Sequence, residues 1–302
     1  MDCFGDSSSD EEEDILQEVR DKSCGVCSFH SNTEASLLTH IRNTPNLIGP
    51  NDVLHAIDSF CMSRHWMMHV GPQKGLILQR LLHDAINEKA STTTTSAYAP
   101  FVAVELGTYC GYASILLAKE FRHASASLRC HWHTVEIERE YAAIAKEMIQ
   151  LSGLTGVVSV HQVSYDGHET NIVEVIRDAL KTKEHSETKP AIDFLLIDHD
   201  KDAYKSDLCK FESSGLIGKK TKVVADNVIF ANIQDYIQHV QERQREGIVH
   251  TKTILCQVEY CGENIDGSYY QDGIGKTFFV CLDDVVFFRQ LVNIRFFAAN
   301  LL

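Results

Sequence analysis

Several things that would have placed this chain elsewhere are missing from it. No apolar run approaches the roughly 20 residues that a membrane-spanning helix needs, so nothing commits the chain to a bilayer. Basic residues are outnumbered, 28 Lys and Arg against 42 Asp and Glu, and a formal net charge of −14 disfavours a nucleic-acid backbone, which an anionic surface repels. The ten cysteines follow no regular spacing, and the N-terminus carries acids where a secretory leader carries basic and apolar residues. Reduced thiols and a cytoplasmic location are the expectation. What is present is a chain of 302 residues with 44 % hydrophobic content, enough to build a core without covalent staples, in one large domain or two small ones.

The acidity is partly local. Asp2, Asp6, Asp10, Glu11, Glu12, Glu13, Asp14 and Glu18 supply more than half of the net negative charge within the first 18 residues. Residues 1–48, with the run Ser7-Ser8-Ser9-Asp10-Glu11-Glu12-Glu13-Asp14 and few large apolar residues, bury too little to offset ordering entropy and read as a mobile tail. Within it Cys24 and Cys27, followed after twelve residues by His40, imitate three ligands of a zinc finger, but no histidine follows at the spacing of a fourth. They read as two reduced cysteines. From residue 51 the chain is a folded domain. Val53, Leu54, Ile57 and Phe60, then Leu76 to Ile86, recur at helical spacing, and Ser91-Thr92-Thr93-Thr94-Thr95-Ser96 reads as a solvated loop.

Beyond that loop, short apolar runs alternate with helical stretches, the pattern of a parallel sheet covered on both faces. The spacing predicts seven strands: 101–106, 133–137, 157–162, 192–197, 222–225, 253–258 and 277–281. The first five leave room for helices between them. The last two do not, so that pair is expected to be antiparallel. The fold expected is α/β: an open, doubly wound, mostly parallel seven-stranded sheet with an antiparallel edge, with a polar surface loop at 183–190 and an apolar C-terminal segment 283–302 that either packs on the sheet edge or forms a dimer contact.

In such a sheet ligands sit beyond the carboxyl ends of the strands. The first strand leaves into Gly107-Thr108-Tyr109-Cys110-Gly111, whose glycines let a turn approach a ligand but lack the Gly-x-Gly-x-x-Gly spacing of a pyrophosphate cradle. The second ends at Glu136, able either to accept from ribose hydroxyls or to cap the next helix. Together these fit a nucleoside cofactor without a pyrophosphate, namely S-adenosylmethionine. The fourth strand ends at Asp198-His199-Asp200-Lys201 and the fifth at Asp226-Asn227, which places two carboxylates and an amide oxygen at one sheet edge, a hard donor set suited to Mg²⁺.

With these motifs in place, the chain from about residue 51 to about residue 281 resembles the catechol O-methyltransferase family. The resemblance rests on Trp66-Met67-Met68-His69-Val70-Gly71-Pro72-Gln73-Lys74-Gly75, Glu105-Leu106-Gly107-Thr108-Tyr109-Cys110-Gly111-Tyr112, Val135-Glu136-Ile137, Asp198-His199-x-Lys201-Asp202-x-Tyr204, Ala225-Asp226-Asn227-Val228-Ile229 and Val258-Glu259-Tyr260. It implies a Rossmann-like domain, taken as residues 51–302, that moves a methyl group from S-adenosylmethionine to a hydroxyl of a catechol or similar vicinal diol. It further implies Mg²⁺ on Asp198, Asp226 and Asn227, and Lys201 as general base. Lys201, Asn227 and Glu259 would meet the substrate, with Trp66 as a cover. Val70, Glu105, Gly107, Glu136, Ser164, Asp198 and His199 would surround the cofactor.

The chemistry agrees: chelation lowers a hydroxyl pKa and aims its oxygen, and a lysine can take the proton if its own pKa is depressed by burial and a nearby dication. Three departures bear on the pocket. Asp200 stands where the family has an aromatic residue, Ala231 where a proline often shapes the wall, and Ala113 where a serine would contact the cofactor carboxylate. If Asp200 faces Lys201 it weakens the base; if it faces the entrance it favours cationic or more polar diols. Two alternatives stay open: a methyltransferase for a larger phenylpropanoid-type diol, and an inactive cofactor-binding regulatory protein tethered through the acidic tail.

Overall fold

The computed structural model describes residues 32–63, 66–93, 99–124, 128–163, 171–181, 192–260 and 271–279. Three helices come first: α1 (Thr33–Asn43), α2 (Pro50–Ser63) and α3 (Gly71–Thr92). The α/β repeat follows: β1 (Ala99–Leu106), α4 (Tyr112–Ala118), β2 (Leu128–Glu136), α5 (Arg139–Leu151), β3 (Val158–Gln162), α6 (Ile172–Leu180) and β4 (Ile192–Ile197). It ends with α7 (Tyr204–Ser214), β5 (Ile217–Ala225), α8 (Gln234–Arg245), β6 (Val249–Gln257) and β7 (Gln271–Phe279).

The strands form one sheet in the order β3-β2-β1-β4-β5-β7-β6. The five strands from β3 to β5 are parallel, and β7 is antiparallel to both β5 and β6. The doubly wound sheet and the antiparallel β6–β7 pair are therefore as expected. The last strand, however, is not the edge: it lies between β5 and β6. The parallel strands are apolar on both faces because helices cover both. On β4, Phe194 and Leu196 join the core under α1 to α5, while Leu195 and Ile197 join the core under α6 to α8. All four are fully buried, and burial of such a side chain contributes about 1.5–3 kcal/mol.

Two boundaries need correcting. The stretch to residue 48 is not all tail: α1 packs Leu37 and Ile41, both fully buried, into the core, and Arg42 pairs with Glu147 on α5. The acidic run itself makes 1–48 look polar as a whole and hides the spacing of Leu37, Leu38 and Ile41. Residues 1–31, with Cys24 and Cys27, lie outside the described residues, as do 183–190 and 283–302. The loop expected from residue 91 begins later, because α3 runs through Thr92, and the Ser91 and Thr92 hydroxyls donate to the Glu88 carbonyl. Among the described residues, no helix is long and apolar enough to cross a membrane.

Candidate active site

One cavity of about 780 Å³ opens at the carboxyl ends of β1, β2, β4 and β5, where strand order turns back on itself. It is lined by every expected site residue except Ser164, which lies outside the described residues: Trp66, Val70, Glu105, Gly107, Glu136, Asp198, His199, Lys201, Asp226, Asn227 and Glu259. Asp200, Ala231 and Ala113, the three departures, line it too.

On the β1–β2 side, the turn is shaped by three positive φ angles, 93° at Gly107, 48° at Tyr109 and 87° at Gly111. A side chain at Gly107 would run into the Asp198 carbonyl, so glycine is required for β1 and β4 to leave the sheet this close together. Glu136 is fixed by three backbone amides: Tyr109 N donates to Oε2 at 2.7 Å, and Ile137 N and Glu138 N donate to Oε1 at 2.8 and 2.9 Å. It thus organises the loop ahead of α5 as well as facing the cavity. Glu105 is buried and accepts from the Ser114 hydroxyl and, at 2.9 Å, from Trp132 Nε1. Burial pushes its carboxyl up to about 7 despite those donors. Ser114 is thereby committed to Glu105 and does not stand in for the serine absent at Ala113.

On the β4–β5 side, Lys201 Nζ donates to Asp198 Oδ1 at 3.0 Å and to the Tyr204 hydroxyl at 2.8 Å, and sits 5.0 Å from the centre of the Tyr204 ring. Burial raises the Asp198 pKa and Asp226 raises it further, while Lys201 and Lys74 oppose the rise. Asp200 accepts from Asp202 N at 3.2 Å, is exposed, and is one of the residues that line the cavity. His199 stacks on Tyr204 at 5.3 Å and 9°, its Nε2 is 2.9 Å from Asp207, and its buried Nδ1 has no hydrogen-bond partner among the described residues.

Two residues of this side had been given no role. Lys74, buried in α3, bridges Asp226 (2.9 and 2.7 Å) and Asp272 (3.2 Å). Burial works against its charge, but the carboxylates of Asp226, Asp272 and Asp198 outweigh burial and hold it above the ordinary lysine range. Asp272, on β7 and fully buried, also accepts from Asn227 Nδ2 at 2.8 Å and Phe230 N at 3.1 Å. A carboxylate only accepts, so the amide nitrogen of Asn227 must face Asp272, which leaves its oxygen for another partner. Asn227 itself sits at φ 56°, a left-handed conformation that asparagine tolerates better than most residues. The signal for Lys74 was available: it falls on the same face as Leu78, Leu81, Leu82 and Ala85, all buried.

Glu259, just past β6, closes the third wall. Its Oε1 accepts from Lys74 N at 2.6 Å, and its main-chain oxygen accepts from Trp66 Nε1 at 3.1 Å, which ties the cover to the wall. Gly71 is required beneath it, since a Cβ there would come within 2.6–2.7 Å of the Glu259 side chain. Burial raises the Glu259 carboxyl, and the backbone donors Lys74 N and Gln73 N lower it.

A seven-stranded sheet of this order, with a glycine turn after β1 and an acid ending β2, defines a Rossmann-like methyltransferase. Residues 104–245 match the family described as a methyltransferase domain. Among curated proteins, catechol O-methyltransferase of Bos taurus is 28 % identical over 225 residues, spanning 74 % of this chain and 72 % of that one. Catechol O-methyltransferase B of Danio rerio is 29 % identical over 231 residues, 76 % of this chain and 73 % of that one. Among solved structures, an O-methyltransferase from Bacillus cereus in complex with SAH shares the fold at TM-score 0.50 and 20 % identity, covering 77 % of this chain and 90 % of that one. The chain is thus similar to O-methyltransferases of the catechol O-methyltransferase kind over about three quarters of its length, and the comparisons support an S-adenosylmethionine-dependent O-methyltransferase.

Proposed function

We propose that the protein methylates one hydroxyl of a catechol or similar vicinal diol, held by Mg²⁺ on Asp198, Asp226 and Asn227, with Lys201 as the base. One observation carries the reading: a lysine 3.0 Å from one aspartate, a second aspartate, an oriented amide oxygen and the Glu259 carboxylate all line one cavity mouth. The donor set fits a hard cation. It is all oxygen, and burial and the charge of Asp226 raise the cost of ionising Asp198 in a way that a dication relieves. When bound, Mg²⁺ would acidify the hydroxyl, and S-adenosylmethionine would supply the methyl group.

The protein's own part is positional. Lys201 receives the hydroxyl proton at Nζ and is kept in place by Tyr204. Glu259 accepts from the neighbouring hydroxyl, and Trp66 shields the reacting atoms from water, which favours a transfer that destroys charge. On the cofactor side Glu136 faces the ribose, His199 and Asp198 border the nucleoside, and Val70, Glu105 and Gly107 surround the methionine portion. Exposed and lining the cavity, Asp200 favours diols that carry a cation. The test is transfer of a labelled methyl group to a catechol panel with Mg²⁺ or with a chelator. Transfer that needs Mg²⁺ and disappears in Asp198→Ala is expected; equal transfer in the presence of the chelator would overturn the metal reading.

A further inference from the structure

Away from the cavity, the outer helices α7 and α8 bring together three side chains that methyl transfer does not use. Cys209 and Glu212 lie one turn apart on α7, and His239 faces them from α8. The Cys209 Sγ, a Glu212 carboxylate oxygen and His239 Nε2 all lie within 4.8 Å of one another. His239 Nε2 is 3.3 Å from Glu212 Oε2 and 3.7 Å from Cys209 Sγ.

The contact of His239 with Glu212 is long for a hydrogen bond to a carboxylate, where a charge-assisted contact closes to about 2.7–2.9 Å, while the contact with Cys209 is an ordinary one for sulfur. Both separations are the right length for neighbouring ligands of one metal ion. With Zn–N and Zn–O near 2.0–2.1 Å, Zn–S near 2.3 Å and tetrahedral angles, the N···O edge is about 3.4 Å and the N···S edge about 3.6 Å. We propose that Cys209, Glu212 and His239 form a zinc site that pins α7 to α8, with water in the fourth position.

The surroundings suit a dication. A thiolate, a carboxylate and a neutral imidazole give a charge of −2, which one Zn²⁺ cancels. Burial raises the Cys209 pKa and Glu212 adds to it, while Lys205 and Arg243 oppose them, so Zn²⁺ would bind the sulfur with release of the thiol proton to solvent. Arg243 Nε lies 3.6 Å from the Glu212 Oε1 atom, on the other side of the carboxylate from His239, and holds Oε2 toward the imidazole. The Glu212 and His239 side chains are each 14 % exposed, enough for an ion to enter and for a water ligand to remain. The soft sulfur and the imidazole separate this site from the all-oxygen set at Asp198, Asp226 and Asn227.

The experiment uses the full chain, stripped with a chelator, kept reduced with a phosphine, and held in excess Mg²⁺ so that the oxygen set is not available. Zn²⁺ is titrated against a chromophoric chelator, and Co²⁺ is added separately to read the thiolate-to-cobalt band in the near ultraviolet. One equivalent bound, a thiolate band and a higher melting temperature with Zn²⁺ are expected. Cys209→Ser should lose the band, and His239→Ala and Glu212→Gln should each weaken Zn²⁺ binding, His239→Ala by more than about 100-fold. The double variant Cys24→Ser/Cys27→Ser, which removes the other cysteine pair, should keep both signals. Near-ultraviolet circular dichroism and S-adenosylmethionine titration establish that each variant is folded; if Cys209→Ser is not, His239→Ala and Glu212→Gln decide. Absence of a thiolate band in the wild type, its survival in Cys209→Ser, or its loss in the double variant would overturn the proposal.

Discussion

The two halves of the cavity hold their carboxylates in opposite ways. On the β1–β2 side Glu105 and Glu136 are satisfied by neutral donors: a serine hydroxyl, an indole N–H and three backbone amides. On the β4–β5–β7 side Asp198, Asp226 and Asp272 are held by the ammonium groups of Lys201 and Lys74. Neutral donors fix a carboxylate in space without supplying a countercharge, which suits a ligand that brings its own positive charge, as S-adenosylmethionine does. The second half comes with its cations built in. Two lysines against three aspartates leave a deficit of one positive charge. The two halves thus differ in the kind of donor that holds their carboxylates.

The contrast can be broken most severely at Asp272. Asp272→Ala leaves Lys74 and Asn227 with unmet buried groups and should cost about 3–5 kcal/mol in chemical denaturation, while S-adenosylmethionine affinity, measured by calorimetry under folding conditions, stays within about twofold. Lys201→Met should lower kcat by at least about 100-fold and leave cofactor affinity unchanged; a parallel loss of both would mean that the halves are not separate. Glu105 gives the comparison a pH dependence. Its folded pKa of about 7 is above the ordinary 4.5, so the folded state keeps a proton that the unfolded chain has lost. Its contribution to stability is therefore fully present below about pH 4.5 and lost as pH rises through about 7, by about 3 kcal/mol in all. Comparing denaturation midpoints of the cofactor-free protein and Glu105→Gln across that window should show the variant with the flatter profile. The smallest effect belongs to the mouth: a catechol with an aliphatic amine should exceed one with a carboxylate in kcat/KM, and Asp200→Asn should narrow that ratio by no more than about fivefold, as befits an exposed charge.

How far the sequence alone carries the reader follows from the range of the forces involved. Strand identity is written in local apolar runs, and the residues that leave β1, β2, β4 and β5 are visible because each run simply stops at a glycine or an acid. What escapes is non-local. The β7 strand was expected at 277–281, which left Asp272 outside it; the strand actually starts at Gln271 and enters the sheet by pairing Lys222 to Ala225 of β5 with Phe278 to Gly275. Lys74 was overlooked because a single charge in an amphipathic helix reads as solvated, although its spacing puts it among buried residues. The helix α1 was lost for the opposite reason, its few apolar residues diluted by the acidic stretch ahead of them. Glu136 shows that two readings can hold together: it caps the local backbone and still faces the cavity.

The place of β7 sets an order of events during synthesis. Lys74 reaches Asp272 across 198 positions of chain, and Asn227 reaches it across 45. A ribosome releases β1 to β5 long before β7, and the nascent chain can pair five parallel strands and shape the glycine turn while the edge of β5 is still bare. Until the last strand slides in beside it, the Asn227 amide has no anchor and Lys74 lacks one of its two carboxylates. The β1–β2 side of the cavity can therefore form early, whereas the cluster of Lys74, Asp226, Asn227 and Asp272 is completed last, by contacts between residues far apart in the chain.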